Sequence, residues 1–194
     1  MVFYRIYGFR GSENLLQTDC ETERLFLRLF QLADAKSVQE LAGHEEVART
    51  TLSIPHPYPD GAAEAWIERT RSATEIGTIY SFALVGKENN ELIGCVSLRV
   101  SKTDNQAELA YWVGRPYWGL GFATEASKRI VVFGFEELGL NRIYAAAMTK
   151  NPASYKVMSK IGMKFKEILP KHILKSEVYE DLVLYEMANP NLLR

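Results

Sequence analysis

The sequence predicts a mixed α/β (α+β) fold, built on one twisted mixed sheet of about seven strands with about four helices. Three observations lead to this prediction. Short segments of alternating or continuous apolar residues recur along the chain, as strands require. Longer segments with helical spacing of apolar residues separate them. The composition, 47% hydrophobic and 24% charged, is that of an ordinary globular protein with a hydrophobic core.

The predicted strands follow the period-two pattern of a half-buried sheet. In the first strand, Leu25, Leu27 and Leu29 recur at every second position. Residues 86–90 have the composition of a hairpin turn between two strands. The segments predicted as strands cover about residues 22–30, 80–85, 92–100, 107–113, 142–148, 163–171 and 178–187.

Cap residues mark the ends of the predicted helices. Asp34 and Asp60 are expected to cap the first two helices. Asn151 and Pro152 suit the cap and the first residue of the fourth, which Gly162 ends. The predicted helices cover about residues 34–44, 60–70, 123–138 and 151–162.

The chain is expected to form one domain preceded by an arm. Residues 1–19 are rich in aromatic side chains and end in a turn-rich stretch, so they are predicted to be an N-terminal arm. Residues 20–194 contain no internal repeat, linker or low-complexity stretch. They are therefore predicted to be a single domain.

Charge and cysteine content narrow the function classes. The 23 basic and 24 acidic residues give a net charge of −1, without the basic surface that a nucleic acid binder uses to contact phosphates. Cys20 and Cys95 have no spacing typical of a disulfide framework or a zinc site. No apolar run approaches the ~20 residues that cross a bilayer, and no signal peptide pattern is present. We therefore expect a cytoplasmic protein that binds no nucleic acid, membrane or metal.

The segment from Gly114 to Gly121 carries the clearest chemical signal. It follows a predicted strand and opens a predicted helix with a Gly-x-Gly turn. Backbone N–H groups at a helix N-terminus attract anions, and glycine lets a phosphate approach the backbone closely. The segment therefore predicts a site for a phosphate-bearing ligand.

Two common phosphate-binding motifs do not fit this segment. A dinucleotide-binding turn needs a third glycine and an acidic residue ~20 positions further on. Thr124 occupies the position of that glycine, and no Asp or Glu lies beside Asn141. A P-loop needs Lys and then Ser or Thr after its last glycine, but Leu120 and Gly121 follow Gly119.

The stretch from Trp118 to Ala126 instead resembles the pyrophosphate loop of the GNAT superfamily of N-acetyltransferases. The superfamily pattern, Gln/Arg-x-x-Gly-x-Gly/Ala, is matched with Trp118 in its first place. That departure is typical of the ribosomal-protein N-alpha-acetyltransferase (Rim-type) branch. Further segments similar to this branch follow in the expected order over about residues 20–187, namely residues 22–28, 54–58, 92–94, 107–112, 135–144 and 151–162.

The resemblance implies a ligand and its site. It implies that strands 107–113 and 142–148 are parallel and splay apart, and that acetyl-CoA binds there as co-substrate. Backbone N–H groups of residues 119–124 are expected to bind its pyrophosphate, and residues 112–114 to pair with its pantetheine amides. The residues expected to bind coenzyme A are Trp112, Val113, Gly114, Trp118, Gly119, Leu120, Gly121, Phe122, Ala123, Thr124, Asn151 and Ser154.

Glu108 and Ser154 are the candidate catalytic residues. A single carboxylate on a strand is commonly solvated, which is one interpretation of Glu108. The other is a general base, because the acceptor ammonium must lose a proton before it attacks and Glu108 lies near the splay. Ser154 is unremarkable three residues after the cap Asn151, but the Rim-type pattern implies that it can protonate the departing thiolate.

The expected activity is direct transfer of acetyl from acetyl-CoA to a primary amine in a ternary complex. The Rim-type resemblance implies the α-amine of a protein N-terminus as acceptor, with His56 and Tyr58 in the acceptor loop. One alternative is a small-molecule acetyltransferase acting on an aminoglycoside, a polyamine or an amino acid. The other is a coenzyme A-binding sensor without activity. A monomer and a homodimer are both compatible with the sequence.

Overall fold

A computed structural model describes residues 20–193, so the predicted arm at residues 1–19 lies outside the described residues. It contains one eight-stranded sheet in the order β1-β2-β3-β4-β5-β6-β8-β7. The strands are β1 (Cys20–Glu21), β2 (Leu25–Leu29), β3 (Ile79–Gly86), β4 (Leu92–Ser101), β5 (Gln106–Val113), β6 (Arg142–Met148), β7 (Lys164–Lys175) and β8 (Val178–Ala188). The helices are α1 (Ala35–Ala42), α2 (Glu45–Thr50), α3 (Ala62–Glu75), α4 (Phe122–Glu136) and α5 (Pro152–Lys160). The predicted fold class is confirmed.

Helices cover both faces of the sheet. On one face α4 and α5 pack against the central strands in a hydrophobic cluster that includes the buried Phe82, Ile130 and Phe133. On the other face α1 and α3 pack in a second cluster through Val38 and Ile67. The central strands are thereby buried on both sides, which fixes their positions. Within residues 20–193, no helix has both the length and the apolar character needed to cross a membrane.

The sheet contains one parallel pair, and this pair separates along its length. β5 and β6 pair only at their first positions, Gln106 with Arg142 through Glu108 with Tyr144. Beyond Glu108, β5 continues beside β4, while β6 continues beside β8 as far as Met148. The two strands therefore enclose a wedge that opens toward their carboxyl ends. The predicted parallel arrangement of these strands is confirmed.

The fifth helix, α2, was missed because the first helix was predicted to continue to about His44. Instead α1 ends at Ala42, and the His44 Nδ1 accepts a hydrogen bond from the Glu46 N–H (3.3 Å), so His44 caps α2. Gly43 joins the two helices, and a Cβ there would lie 2.7 Å from Tyr58 Cβ. Close packing of the following loop against this junction therefore requires glycine.

Two of the three predicted cap positions are confirmed and one is wrong. Asp34 is the N-cap residue of α1, but its carboxylate makes no capping hydrogen bond there and pairs instead with Arg28 (2.7 Å). Burial would raise the pKa of Asp34, but this ion pair and a backbone hydrogen bond outweigh it and lower the pKa. Gly61, not Asp60, is the N-cap of α3. Asn151 caps α5 as predicted. The eighth strand, β1, has two residues, too few for an alternating pattern to reveal.

Candidate active site

The free edge of β5 exposes backbone groups to the wedge. The Gly114 N–H donates to the Ile93 carbonyl of β4 (2.9 Å). Because hydrogen bonding alternates along an antiparallel strand, the backbone of Trp112 also faces β4, and that of Tyr111 and Val113 faces the wedge. The expectation that Trp112 and Gly114 pair with pantetheine therefore needs correction, since both already pair with β4. Tyr111 and Val113 hold the positions that a strand-like ligand can reach.

Trp118 supports the end of β5 with its side chain. Its indole Nε1 donates to the Val113 carbonyl (2.6 Å), and the Arg115 guanidinium lies 5.1 Å from its ring centre. This bond leaves the Val113 N–H, but not its carbonyl, for a ligand in the wedge. Trp118 thus holds the turn between β5 and α4 in place.

The turn before α4 presents a row of unbonded backbone donors. None of the N–H groups of residues 119–124 donates to an acceptor among residues 20–193. Gly119 and Gly121 have φ of 79° and 86°, a conformation that favours glycine. A Cβ on Gly119 would meet nothing within 4 Å, and one on Gly121 only the Arg24 guanidinium at 3.5 Å. The turn therefore has the donors and the open space that a pyrophosphate requires.

A carboxylate in the first turn of α4 is neutralised by residues between β1 and β2. Glu125 accepts hydrogen bonds from the Thr22 hydroxyl (2.6 Å) and the Arg24 N–H (2.9 Å), and it forms an ion pair with the Arg24 guanidinium (2.6 Å). Burial would raise the pKa of Glu125, but these hydrogen bonds and the Arg24 charge lower it. Arg24 also donates to the Leu120 carbonyl (3.0 Å). The Arg24–Glu125 pair thus fixes the turn and cancels a charge that would repel an anion.

A phenol crosses from β5 to the start of α5. The Tyr111 hydroxyl donates to the Ser154 carbonyl (2.8 Å) and lies 3.0 Å from the Ser154 hydroxyl. Burial raises the pKa of Tyr111 to about 12, so the phenol stays protonated at neutral pH. The Asn151 Oδ1 accepts from the Ser154 N–H (3.3 Å) and its Nδ2 donates to the Thr50 carbonyl (3.0 Å). Ser154 is therefore held by both Tyr111 and Asn151. No sequence pattern had indicated a role for Tyr111.

Glu108 lies at the closed end of the wedge, on the other face of the sheet. It is the last residue of β5 that pairs with β6, and its side chain is 22% exposed. Its Oε2 accepts from Arg99 Nη1 at 2.9 Å. Because side chains alternate along a strand, Glu108 and Tyr111 point to opposite faces. The two predicted catalytic residues, Glu108 and Ser154, therefore lie on opposite faces of the sheet.

Helix α2 spans the open end of the wedge. Its Glu46 forms an ion pair with Arg115, which follows β5 (2.6 Å), and its Thr50 carbonyl accepts from Asn151, which follows β6. A cavity of about 330 Å³ lies beside this helix. Its lining residues come from the last turn of α2 and the junction of β6 with α5: Arg49, Thr50, Met148, Lys150 and Asn151.

The two predicted acceptor residues lie beside α1 and α2 but do not line this cavity. His56 is exposed, and its Nδ1 lies 3.0 Å from the Gly43 carbonyl. Tyr58 is half-buried against the second hydrophobic cluster, and burial raises the pKa of its phenol. Both side chains therefore pack the loop onto the helices.

The described part of the chain has no evident metal site, and its Cys95 thiol is enclosed. No group of three or more His, Cys, Asp or Glu side chains is placed to hold a metal ion there. The Cys95 thiol is fully enclosed in the second cluster, and burial raises its pKa. A buried, protonated thiol is a poor nucleophile.

Comparison with known proteins identifies the family. The sequence profile of the Acetyltransferase (GNAT) domain family matches residues 24–164. The N-acetyltransferase p20 of Bacillus licheniformis is 32% identical over 150 residues, which cover 76% of this chain and 83% of that protein. The fold is similar to that of the ribosomal-protein-S5-alanine acetyltransferase of Vibrio fischeri, with a TM-score of 0.79, 21% identity, and coverage of 89% of this chain and 97% of that chain. It is also similar to the spermidine N-acetyltransferase of Vibrio cholerae in complex with CoA and spermine, with a TM-score of 0.74, 19% identity, and coverage of 88% and 98%. The chain belongs to the GNAT family and is an acetyl-CoA-dependent N-acetyltransferase.

Proposed function

We propose that this enzyme acetylates the N-terminal α-amine of a protein or peptide by direct transfer in a ternary complex. The observation that carries the proposal is the wedge between β5 and β6. Unbonded N–H donors lie at the start of α4, on one face of the sheet, and Glu108 lies on the opposite face. A thioester entering from the side of α4 and an amine entering from the opposite face would meet at this gap.

The coenzyme half of the site is assigned to backbone groups. The N–H groups of residues 119–124 would hold the pyrophosphate, helped by the positive end of the α4 dipole. The side chains of Phe122 and Thr124 lie in the same first turn of α4, beside the Arg24–Glu125 pair. The wedge-facing backbone of Tyr111 and Val113 would hydrogen bond to the pantetheine amides. Trp118 and Asn151 support these groups through the bonds to Val113 and Thr50.

The chemistry at the gap requires a neutral amine. Glu108 would take a proton from the acceptor ammonium, directly or through a water molecule. The amine nitrogen then forms a bond to the thioester carbon, and negative charge develops on the carbonyl oxygen. A backbone N–H on the free edge of β5, at Tyr111 or Val113, would stabilise that charge.

Departure of the thiol completes the transfer. The carbon–sulfur bond breaks as the amide forms. The amide nitrogen loses its extra proton and the thiolate of coenzyme A takes one up, so the net proton released is the one that Glu108 removed. The Ser154 hydroxyl, hydrogen bonded to the Tyr111 phenol, is on the side of the sheet where the coenzyme is expected. A thiolate with a conjugate pKa near ~8.5 is a good leaving group, so this proton assists the step without being indispensable.

The hydrogen bond that Glu108 accepts from Arg99 favours an α-amine over a lysine side chain as acceptor. Its Oε2 already accepts a hydrogen bond from Arg99, so an acceptor that is partly neutral before it binds demands least of this base. At pH 7 roughly a tenth of α-amines, with a pKa near ~8, are neutral, against well under ~0.1% of lysines.

The test offers the enzyme peptides that carry both an α-amine and a lysine, together with spermidine and an aminoglycoside. Mass spectrometry of the products should locate acetyl at the α-amine, with matching release of coenzyme A. Acetylation at lysine alone, or of spermidine or the aminoglycoside but no peptide, would contradict the proposal. Binding of acetyl-CoA without transfer to any amine would instead indicate a sensor.

A further inference from the structure

The cavity beside α2 lies next to the proposed reaction site. Asn151 forms one wall, and it is bonded to the N–H of Ser154, which contacts Tyr111 of β5. The buried Met148, the last residue of β6, lies at the carboxyl end of the parallel pair. In sheets with parallel strands, ligands bind outside the carboxyl ends, where strands separate. A group bound in this cavity would therefore lie close to the open end of the wedge.

The charged side chains that line this cavity are both basic. Arg49 and Lys150 line it, and no Asp or Glu does. The Arg49 side chain is exposed and makes no hydrogen bond or ion pair with any residue of the described chain. Lys150 is paired with Glu180 of β8. Glu46, on the same helix as Arg49, is engaged by Arg115. Glu46 attracts the Arg49 charge but forms no ion pair with it, so the guanidinium donors of Arg49 remain available at the cavity.

The polar groups of the cavity wall do not offset this charge. The Asn151 Oδ1 accepts from Ser154, and the Thr50 carbonyl accepts from Asn151. Both acceptors are therefore already hydrogen bonded. Burial lowers the pKa of the nearby Lys175, and the charge of Lys150 lowers it further, against the effect of Glu180. A ligand that complements this surface carries an oxyanion, and a polycation would be repelled.

We infer that the cavity binds an oxyanion, a carboxylate or a phosphate, carried near the α-amine of the acceptor peptide. Arg49 provides the specificity, because a guanidinium matches a carboxylate or phosphate with two parallel hydrogen bonds. Lys150 contributes a second donor. The volume, about 330 Å³, accommodates one acidic side chain. This inference rests on the proposed function and names the class of acceptor that the same site prefers: N-termini with an acidic residue close to the amine.

The test compares matched peptides of one length with a free N-terminal alanine. One pair carries Asp or Asn at the second position, and another carries phosphoserine or serine, which separates a carboxylate from a phosphate as the source of charge. Wild-type enzyme should prefer the charged member of at least one pair by about tenfold in kcat/KM, the gain of one charge-assisted hydrogen bond. The difference should lie in KM.

Two variants assign the preference to Arg49. Arg49→Glu should remove or reverse it, and Arg49→Gln, which only removes the charge, should reduce it. Arg71→Glu makes the same change at an exposed arginine of α3 and should leave the preference intact. Thermal unfolding of all variants checks that α2 stays folded.

Three results would overturn the inference. The first is transfer to α-amines at equal kcat/KM for charged and neutral peptides. The second is a preference that survives in Arg49→Glu. The third is an equal loss with all peptides in Arg49→Glu together with weaker acetyl-CoA binding, which would assign the cavity to the coenzyme. Absence of transfer to every peptide would count against the proposed function itself, which keeps the two failures distinct.

Discussion

The two sides of the wedge use different parts of the polypeptide. On the coenzyme side, the turn of residues 119–124 presents backbone N–H groups, and two glycines with positive φ leave space around them. On the proposed acceptor side, Arg49 and Lys150 are among the residues that line the cavity beside α2, and their side chains contribute its charge. Backbone recognition imposes a local requirement for glycine, whereas side-chain recognition depends on residues brought together from distant segments.

This difference between backbone and side-chain recognition explains which residues can change among members of the family. Every GNAT substrate pair shares the coenzyme, so a backbone site with fixed geometry serves all members. The acceptor differs between members, and surface side chains such as Arg49 can change without disturbing a hydrogen-bonded turn. Substitutions in the turn are therefore expected to remove activity with all acceptors, and substitutions beside α2 to change the choice among them.

The largest effect is expected at Gly121. The change Gly121→Glu places a side chain at a φ of 86° and a negative charge where pyrophosphate is expected. Calorimetric titration should detect no acetyl-CoA binding to this variant and clear binding to wild type. Because the acceptor plays no part in this measurement, the result tests the coenzyme side alone.

Gly139 provides the matched control for this change. It has a φ of 64°, nothing lies within 4 Å of its expected Cβ, and it follows the other end of α4. Gly139→Glu therefore introduces the same backbone strain and the same charge far from the turn. It should lower the unfolding temperature while acetyl-CoA still binds. Equal loss of binding in both variants would mean that strain, and not the position of the charge, is responsible.

A second prediction concerns Glu108 on the opposite face of the sheet. Glu108→Gln keeps the shape and removes the base, so kcat should fall by roughly 10²-fold, while acetyl-CoA affinity changes little. The measurement is steady-state kinetics with a reactive peptide, combined with calorimetry. If the kcat of Glu108→Gln equals that of wild type from pH 6 to 9, Glu108 is only a solvated carboxylate.

The ion pair with Arg99 calls for a control of its own. Glu108→Gln disrupts that pair as well as removing the base, so a loss of activity has two explanations. Arg99→Gln breaks the same pair and keeps the carboxylate, and the Arg99 side chain is 67% exposed. Its kcat should fall much less than that of Glu108→Gln. Equal losses in the two variants would indicate that the ion pair, and not the base, sustains activity.

Local patterns in the sequence predicted most of the fold and the glycine turn that opens α4. The Gly-x-Gly turn needs positive φ at Gly119 and Gly121, and only glycine adopts that conformation freely. Asn151 and Pro152 have the preferred types for a cap and a first helical residue. Each of these signals acts within a few residues, and for that reason one sequence suffices to detect it.

The features that sequence analysis missed depend on contacts between distant residues or on weak local signals. Arg24 and Glu125 are about a hundred positions apart, and neither type is unusual where it stands. Helix α2 has only six residues, and its N-cap is His44, which is not a preferred cap residue type. The register of β5 with β4 decides which backbone groups of β5 face the wedge. For that reason the sequence pointed to Trp112 and Gly114, whereas the structure turns the backbone of Tyr111 toward the wedge.

The smallest effect is expected at the contact between Tyr111 of β5 and Ser154 of α5, on the proposed coenzyme side. Tyr111→Phe and Ser154→Ala each remove one hydroxyl of a pair 3.0 Å apart. Because the thiolate leaves readily, each should lower kcat by less than about tenfold. If the two hydroxyls act as a unit, the double variant should lose little more than either single one. Tyr117→Phe is the control, since it removes a phenol bonded to Glu91 at the surface. A 10²-fold loss in Ser154→Ala with wild-type kcat in Tyr111→Phe would make Ser154 an independent acid, and it would limit the role of Tyr111 to packing.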